Sequence, residues 1–215
     1  LIYIYVDHEF SYDRFHHDVD RIYRVNQTFI WGENNNSQFA STGPGVAYAL
    51  KEELPEIDLI TSIHTTGNFF ISYVAGNNDV ITFEETRVLA ADSNFFRVFN
   101  FPLIKGNIES VFEQANNVLM TVSTAKKYFG DEDPIGKLVR IEGPDGEPKT
   151  YEVTGIAEDT PDNSYIRFDV LISMKSFPAV LRTWSWVWTQ LETYIKLSPA
   201  ADVNQVRAKL EKIPQ

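Results

Sequence analysis

The chain has 215 residues, 43% hydrophobic and 23% charged, proportions that suit a folded globular protein and exclude a disordered one. Its 19 Lys and Arg against 30 Asp and Glu give a formal net charge of −11, which repels phosphate backbones, so no nucleic acid is expected as a partner. Cysteine is absent, which removes disulfides, thiolate zinc sites and cysteine nucleophiles together.

Leu1-Ile2-Tyr3-Ile4-Tyr5-Val6 stops abruptly at Asp7-His8-Glu9. Such a run reads either as the end of a membrane helix at the interfacial aromatic belt or as a first strand. No stretch of 18 apolar residues follows. A short helical stretch is expected around Asp13–Val19, then a strand over Arg21–Trp31 with Tyr23, Val25, Phe29 and Trp31 on one face. Gly32–Ser37 reads as a polar loop. Ser41 or Thr42 is expected to cap a helix opened by Pro44, with Val46, Ala47, Leu50 and Leu54 on one stripe. With a strand at Leu59–Thr65 this gives a β-α-β unit over 21–66.

Two extended runs, Phe69–Val74 and Val80–Ala91, flank Gly76-Asn77-Asn78-Asp79, a hairpin-turn composition. Asp92 or Ser93 should cap a short helix carrying Phe95, Phe96 and Phe99. Asn117–Thr121 reads as a strand and Ser123 as the start of a helix closed by Gly130. Lys137–Glu142 and Lys149–Ala157 form a hairpin around Gly143-Pro144-Asp145-Gly146. Strands follow at Phe168–Met174 and Trp186–Leu197, and Asp202 caps a last helix carrying Val203, Val206, Leu210 and Ile213. Short strands with segregated helices predict an α+β fold, not a doubly wound sheet.

No catalytic constellation emerges. His16-His17 with Asp18 and Asp20 has metal-ligand residue types, but helical i, i+4 spacing pairs only His16 with Asp20, and a solvated turn is the better reading. Asp131-Glu132-Asp133 lacks the spacing of a calcium loop, and Gly43-Pro44-Gly45 lacks the Lys of a phosphate loop. No catalytic, cofactor-binding or metal-binding residue is therefore assigned. Trp184, Trp186 and Trp188 recur at a period of two, which in a strand places them on the polar face opposite Val187, Leu191, Ile195 and Leu197. Three indoles there are expected to lie under a neighbouring element or to meet a partner or substrate.

Four phrases, in order, resemble one family. They are Tyr12-Asp13-Arg14-Phe15-His16 with Asp20-Arg21-Ile22-Tyr23-Arg24-Val25, and Val88-Leu89-Ala90-Ala91-Asp92-Ser93-Asn94-Phe95-Phe96 with Phe99-Asn100-Phe101-Pro102-Leu103. Ser123–Gly130 running into Asp133-Pro134-Ile135-Gly136-Lys137, and Tyr151-Glu152-Val153-Thr154-Gly155-Ile156, complete the set. Together they are similar to the MacB-like extracytoplasmic domain of FtsX-type bacterial ABC transporter permeases. The resemblance covers nearly the whole chain and makes Leu1–Val6 the stub of a membrane helix.

That resemblance implies a porter-like β-α-β lobe over 1–90 and 185–215, with an inserted, mainly β lobe over 92–180. It implies a bacterial inner-membrane protein with this domain on the periplasmic side, coupling ATP-driven motion of membrane helices to export or mechanotransmission. The partners it implies are a second permease copy, a cytoplasmic ATPase subunit or domain acting through the membrane helices, and a periplasmic adaptor. No enzyme activity is expected and no cofactor in this fragment, since ATP is used by the separate ATPase. The competing reading from the residues alone is a secreted binding module for a glycan or peptide, using the tryptophans.

Overall fold

The computed structural model describes residues 11–30, 36–76, 78–143, 146–182, 184–211 and 213. Leu1–Val6, Trp31 and Gly32–Asn35, each given a role by the sequence pattern, lie outside them. Thirteen strands and four helices are found among the described residues. In chain order they are β1 (Ile22–Arg24), β2 (Gln27–Ile30), β3 (Asn36–Phe39), α1 (Pro44–Glu53), β4 (Ile57–Thr65), β5 (Phe69–Val74), β6 (Val80–Glu85), β7 (Val88–Ala91) and α2 (Phe95–Val98). Then follow β8 (Leu103–Lys105), β9 (Asn117–Thr121), α3 (Val122–Phe129), β10 (Leu138–Glu142), β11 (Lys149–Ala157), β12 (Val170–Ser173), β13 (Leu191–Leu197) and α4 (Val203–Leu210).

Eleven strands form one sheet in the order β1-β13-β4-β7-β12-β9-β11-β10-β5-β6, with β8 beside β11. β7 with β12 and β9 with β11 are parallel; the other pairs are antiparallel. β13 runs antiparallel to both β1 and β4, so the expected β-α-β unit is split, with the late strand inserted between its two early ones. β2 and β3 form a separate ribbon.

Both faces of the sheet are covered at its centre, which is why the central strands read as continuous apolar runs, whereas β5 and β10 alternate between buried and exposed residues. Every residue of β9 and of β12 is buried. At the β13 end, Val46 and Leu50 of α1, Leu54 just after it and Val206 of α4 pack on Val25, Ile195 and Leu197. The opposite face there meets an aromatic cluster built from Phe95, Phe96, Phe99, Phe101, Phe168 and Tyr194. Toward the other end, Tyr128 and Phe129 of α3 cover Val118, Met120, Val139, Val153 and Ile172. Hydrogen bonding is continuous from β1 to β6, and the β5–β6 hairpin joins β10 of the middle segment.

Several local expectations are corrected. The stretch 11–18 is a series of turns leading into a single 3₁₀ turn at Val19–Arg21. The strand expected over 21–31 is two strands in different sheets. Val25 still donates its N–H to Thr193 O at 2.9 Å, after which the chain departs toward β3. β3 occupies part of the expected 32–37 loop, and 80–91 divides into β6 and β7 around a turn at 86–87. α1 is capped at Gly43, not at Ser41 or Thr42, because the Thr42 hydroxyl bonds the Thr193 hydroxyl at 2.7 Å. α3 starts one residue early, capped by Thr121, while the Ser123 hydroxyl donates to Asp159 Oδ2 at 2.6 Å. Asp202 caps α4 as expected, accepting from the Asn204 N–H at 2.8 Å.

Candidate functional site

The last expected strand begins at Leu191, five residues later than its pattern suggests, so Trp184, Trp186 and Trp188 do not share a strand face. They occupy the turn-rich segment that enters β13, and Val187, expected in the core, is exposed. The cause lies in tertiary hydrogen bonds. Ser185 O accepts from the Gly45 N–H at 2.9 Å, in the first turn of α1. Gln27 closes the clasp with one amide: its Oε1 accepts from Gly43 N–H at 3.0 Å and its Nε2 donates to Trp186 O at 2.8 Å. Helix N-termini carry unsatisfied N–H groups, and here the tryptophan segment supplies the acceptor that a capping side chain would otherwise provide.

Gly43 is required at this crossing. A Cβ there would lie 2.7 Å from the Trp186 carbonyl carbon and oxygen, closer than real contacts allow. Held this way, Trp186 is half-buried and turns its ring onto the apolar cluster of α1, α4 and β13. Trp184 and Trp188 remain 74% and 45% exposed. The three indoles thus divide: one packs inward and two face solvent.

Beside Trp186 an open groove of about 640 Å³ runs between α1 and α4 over β1 and β13. Its floor is apolar, with Val25, Leu50, Ile195 and Val206, and Gln27, Arg207 and Glu211 are among its polar lining residues. A second concavity, lined by Trp186, Val187, Ile30 and Ile213, adjoins it. The apolar floor suits an apolar or aromatic group more than a polar metabolite.

Titratable side chains elsewhere are structural. His16, expected on a solvated turn, is only 4% exposed and sits against Phe15, Phe99 and Phe101. Its Nδ1 accepts from the Asn100 N–H at 3.0 Å, so the proton belongs on Nε2, which has no hydrogen-bond partner. Burial lowers its pKa, with Asp13 opposing. Among the described residues no three His, Asp or Glu side chains gather as metal ligands. Glu85 is buried, accepting from the Tyr128 hydroxyl at 2.6 Å and pairing with Lys127 at 2.5 Å. Asp92 accepts from Thr61 Oγ1, Ser62 N–H and Asn94 N–H, tying β4 to the start of α2; burial raises its pKa against those bonds. Lys196 is buried beside Asp18, whose pKa drops to about 2 through hydrogen bonds from Lys196 and Arg21. Sequence reasoning missed His16, Gln27 and Glu85, because each owes its environment to residues distant in the chain.

The family model of the MacB-like periplasmic core domain matches residues 1–213. Among solved structures, a domain of a protein described as a permease from Porphyromonas gingivalis is similar at 25% identity and a TM-score of 0.73, over 93% of this chain and 84% of that one. The periplasmic region of MacB from Actinobacillus actinomycetemcomitans shares the fold at 17% identity and a TM-score of 0.53, over 78% of this chain and 70% of that one. No curated protein sequence matches significantly.

Proposed function

The chain belongs to the MacB-like periplasmic core domain family, and from that premise we propose that it couples ATP-driven motion of a permease's membrane helices to export or mechanotransmission outside the cytoplasm. As an extracytoplasmic domain of an ABC transporter permease it has no need of a catalytic centre, and none is proposed. ATP is used by a separate cytoplasmic ATPase subunit or domain, and no cofactor is assigned to these residues. In a bacterium the membrane concerned is the inner one.

The observation that carries the reading is the family match over residues 1–213. The continuous eleven-stranded sheet supports it physically, since close-packed interiors transmit displacement rather than absorb it. Trp184, Trp188 and the groove beside Trp186 are the proposed contact for a partner or substrate: a periplasmic adaptor, the second permease copy or the transported molecule. Indoles exposed beside an apolar recess are the residue type that anchors interfaces.

The reading is tested in the full-length permease assembled with its ATPase in membrane vesicles. Removing residues 11–213 should abolish transport while ATP hydrolysis persists. Transport that survives the deletion would refute the proposal.

A further inference from the structure

The stretch from Ser11 to Asp18, which leads toward β1, has no regular helix or strand and is held by distant parts of the chain. Near its start, Asp13 donates its N–H to Asn163 O at 3.0 Å, and Asp13 Oδ1 accepts from the Tyr165 N–H at 2.9 Å. At its end, Asp18 pairs with Arg21 at 2.7 Å and with Lys196 at 2.6 Å. Between these anchors the stretch meets the crossing from α2 to β8. There the His17 N–H donates to Asn100 Oδ1 at 2.9 Å, and the Asn100 N–H donates to His16 Nδ1 at 3.0 Å. Of the three attachments, only this middle one uses a side chain whose ordinary pKa lies near neutrality.

We propose that residues 14–17 form a proton-operated strap, closed over Phe99–Phe101 when the His16 ring is neutral and released when the ring takes up a proton, while the sheet stays folded. A neutral imidazole has one acceptor nitrogen, and the Asn100 N–H occupies it. The imidazolium has no acceptor. A proton on Nδ1 would set donor against donor at 3.0 Å, and the strap would lose the bond that seats it.

The surroundings give the charge no other outlet. Nε2 has no hydrogen-bond partner, the side chain is 4% exposed, and the rings of Phe15, Phe99 and Phe101 centre 4.0, 5.3 and 5.2 Å from the imidazole. A buried charge without a partner is more costly than the opening of a short irregular segment. Burial opposes the cation most strongly; Asp13 favours it and His17 opposes it, and both belong to the same stretch. Phe99, Asn100 and Phe101, packed against the ring from the other side, carry no titrating group. No hydrogen bond joins Asp13 to the ring, and Asp13 Oδ1 is turned to Ser164 and Tyr165. The anchors on either side of the strap do not involve the imidazole, so residues 14–17 can swing out as a loop between them. Opening lets the ring regain its ordinary pKa of about 6.5 in water. Each pH unit below that value then raises the opening constant about tenfold, until the closed strap itself binds the proton.

The test is hydrogen exchange at residue resolution on the full-length protein in membrane vesicles, with every rate referred to the unstructured rate at the same pH. Between pH 7.5 and 5.5 the protection of the His17 and Asn100 amides should fall about tenfold, the linkage of one proton. The amides of β9 should keep theirs. His16→Asn, whose Oδ1 can accept the Asn100 N–H but does not titrate, should show equal protection at both pH values. His17→Gln, at an exposed position, should retain the parent's fall. The proposal is overturned if protection of His17 and Asn100 ignores pH, or if β9 loses protection to the same extent, which would mean a general loss of stability. It is equally overturned if His16→Asn still shows the fall or His17→Gln abolishes it. Exchange reports the docking of the strap alone, so its outcome is separate from that of the transport assay.

Discussion

At Gly43 a single hydrogen atom in place of a side chain lets two distant segments meet. Gly43→Ala would drive a methyl group into the Trp186 carbonyl, 2.7 Å away, and neither backbone can retreat without breaking the Gln27 clasp. Urea denaturation should find this variant less stable by about 1–3 kcal/mol, the usual cost of overpacking. Unchanged stability would mean that the crossing is looser than its geometry. His16 makes a prediction of the opposite kind, about solvent rather than sterics. Its folded-state pKa is lowered by burial, so below about pH 6.5 the unfolded chain binds a proton that the folded chain refuses. Stability should therefore fall as pH drops through and below 6.5, before most carboxylates titrate. His16→Leu, though less stable overall, should show a flatter profile between pH 7.5 and 5.5; equal slopes would contradict the assignment. Glu85 depends on its donors in the same way. Tyr128→Phe strips one of them from a buried carboxylate and should cost about 1–3 kcal/mol.

Among the elements, the tryptophan segment gives the sharpest contrast. Trp186 packs on the α1–α4 cluster while Trp184 and Trp188 project into solvent. Trp186→Ala should destabilise the chain by about 2–3 kcal/mol, below the cost of truncating a fully buried tryptophan. Trp184→Ala and Trp188→Ala should stay within about 0.5 kcal/mol of the parent. If those two contact a partner, they should instead lower transport in the full-length protein. Thermal melts and transport assays on the three variants separate packing from recognition. The same segment marks the limit of what the sequence reveals. α1, α3 and α4, the β10–β11 hairpin and the strands at 59–65, 69–74 and 117–121 were legible because periodicity, Gly130 and Asp202 act within a few residues. The late start of β13 was not, since Gln27, Gly43 and Gly45 impose it from 140 or more positions away. Alternating tryptophans satisfied the strand pattern, and tertiary hydrogen bonds overrode it. His16 shows the same limit: its polarity signals solvent, whereas Phe15, Phe99 and Phe101 enclose it.

At the scale of the molecule, the α+β class and the family follow from motif order, but the joining of all major strands into one sheet does not, because pairings such as β7 with β12 leave no local trace. The proposed two lobes, 1–90 with 185–215 and 92–180, share that sheet. If they open as separate cooperative units, native-state hydrogen exchange should give the amides of β13 and β4 a different opening free energy from those of β9 and β11. One common value would merge the lobes into a single unit. The central claim, that the domain moves when ATP is consumed, calls for a distance. A spin label on Asn204→Cys, exposed on α4, reports the separation between two copies in the reconstituted, otherwise cysteine-free transporter. A second label on Lys126→Cys of α3 reports distances within one domain. Pulsed electron–electron measurements in nucleotide-free and hydrolysis-trapped states should show the distance between copies shifting by several ångströms while the distance within a domain holds. An inter-copy distance that stays the same in both states, in vesicles that still transport, would contradict the account.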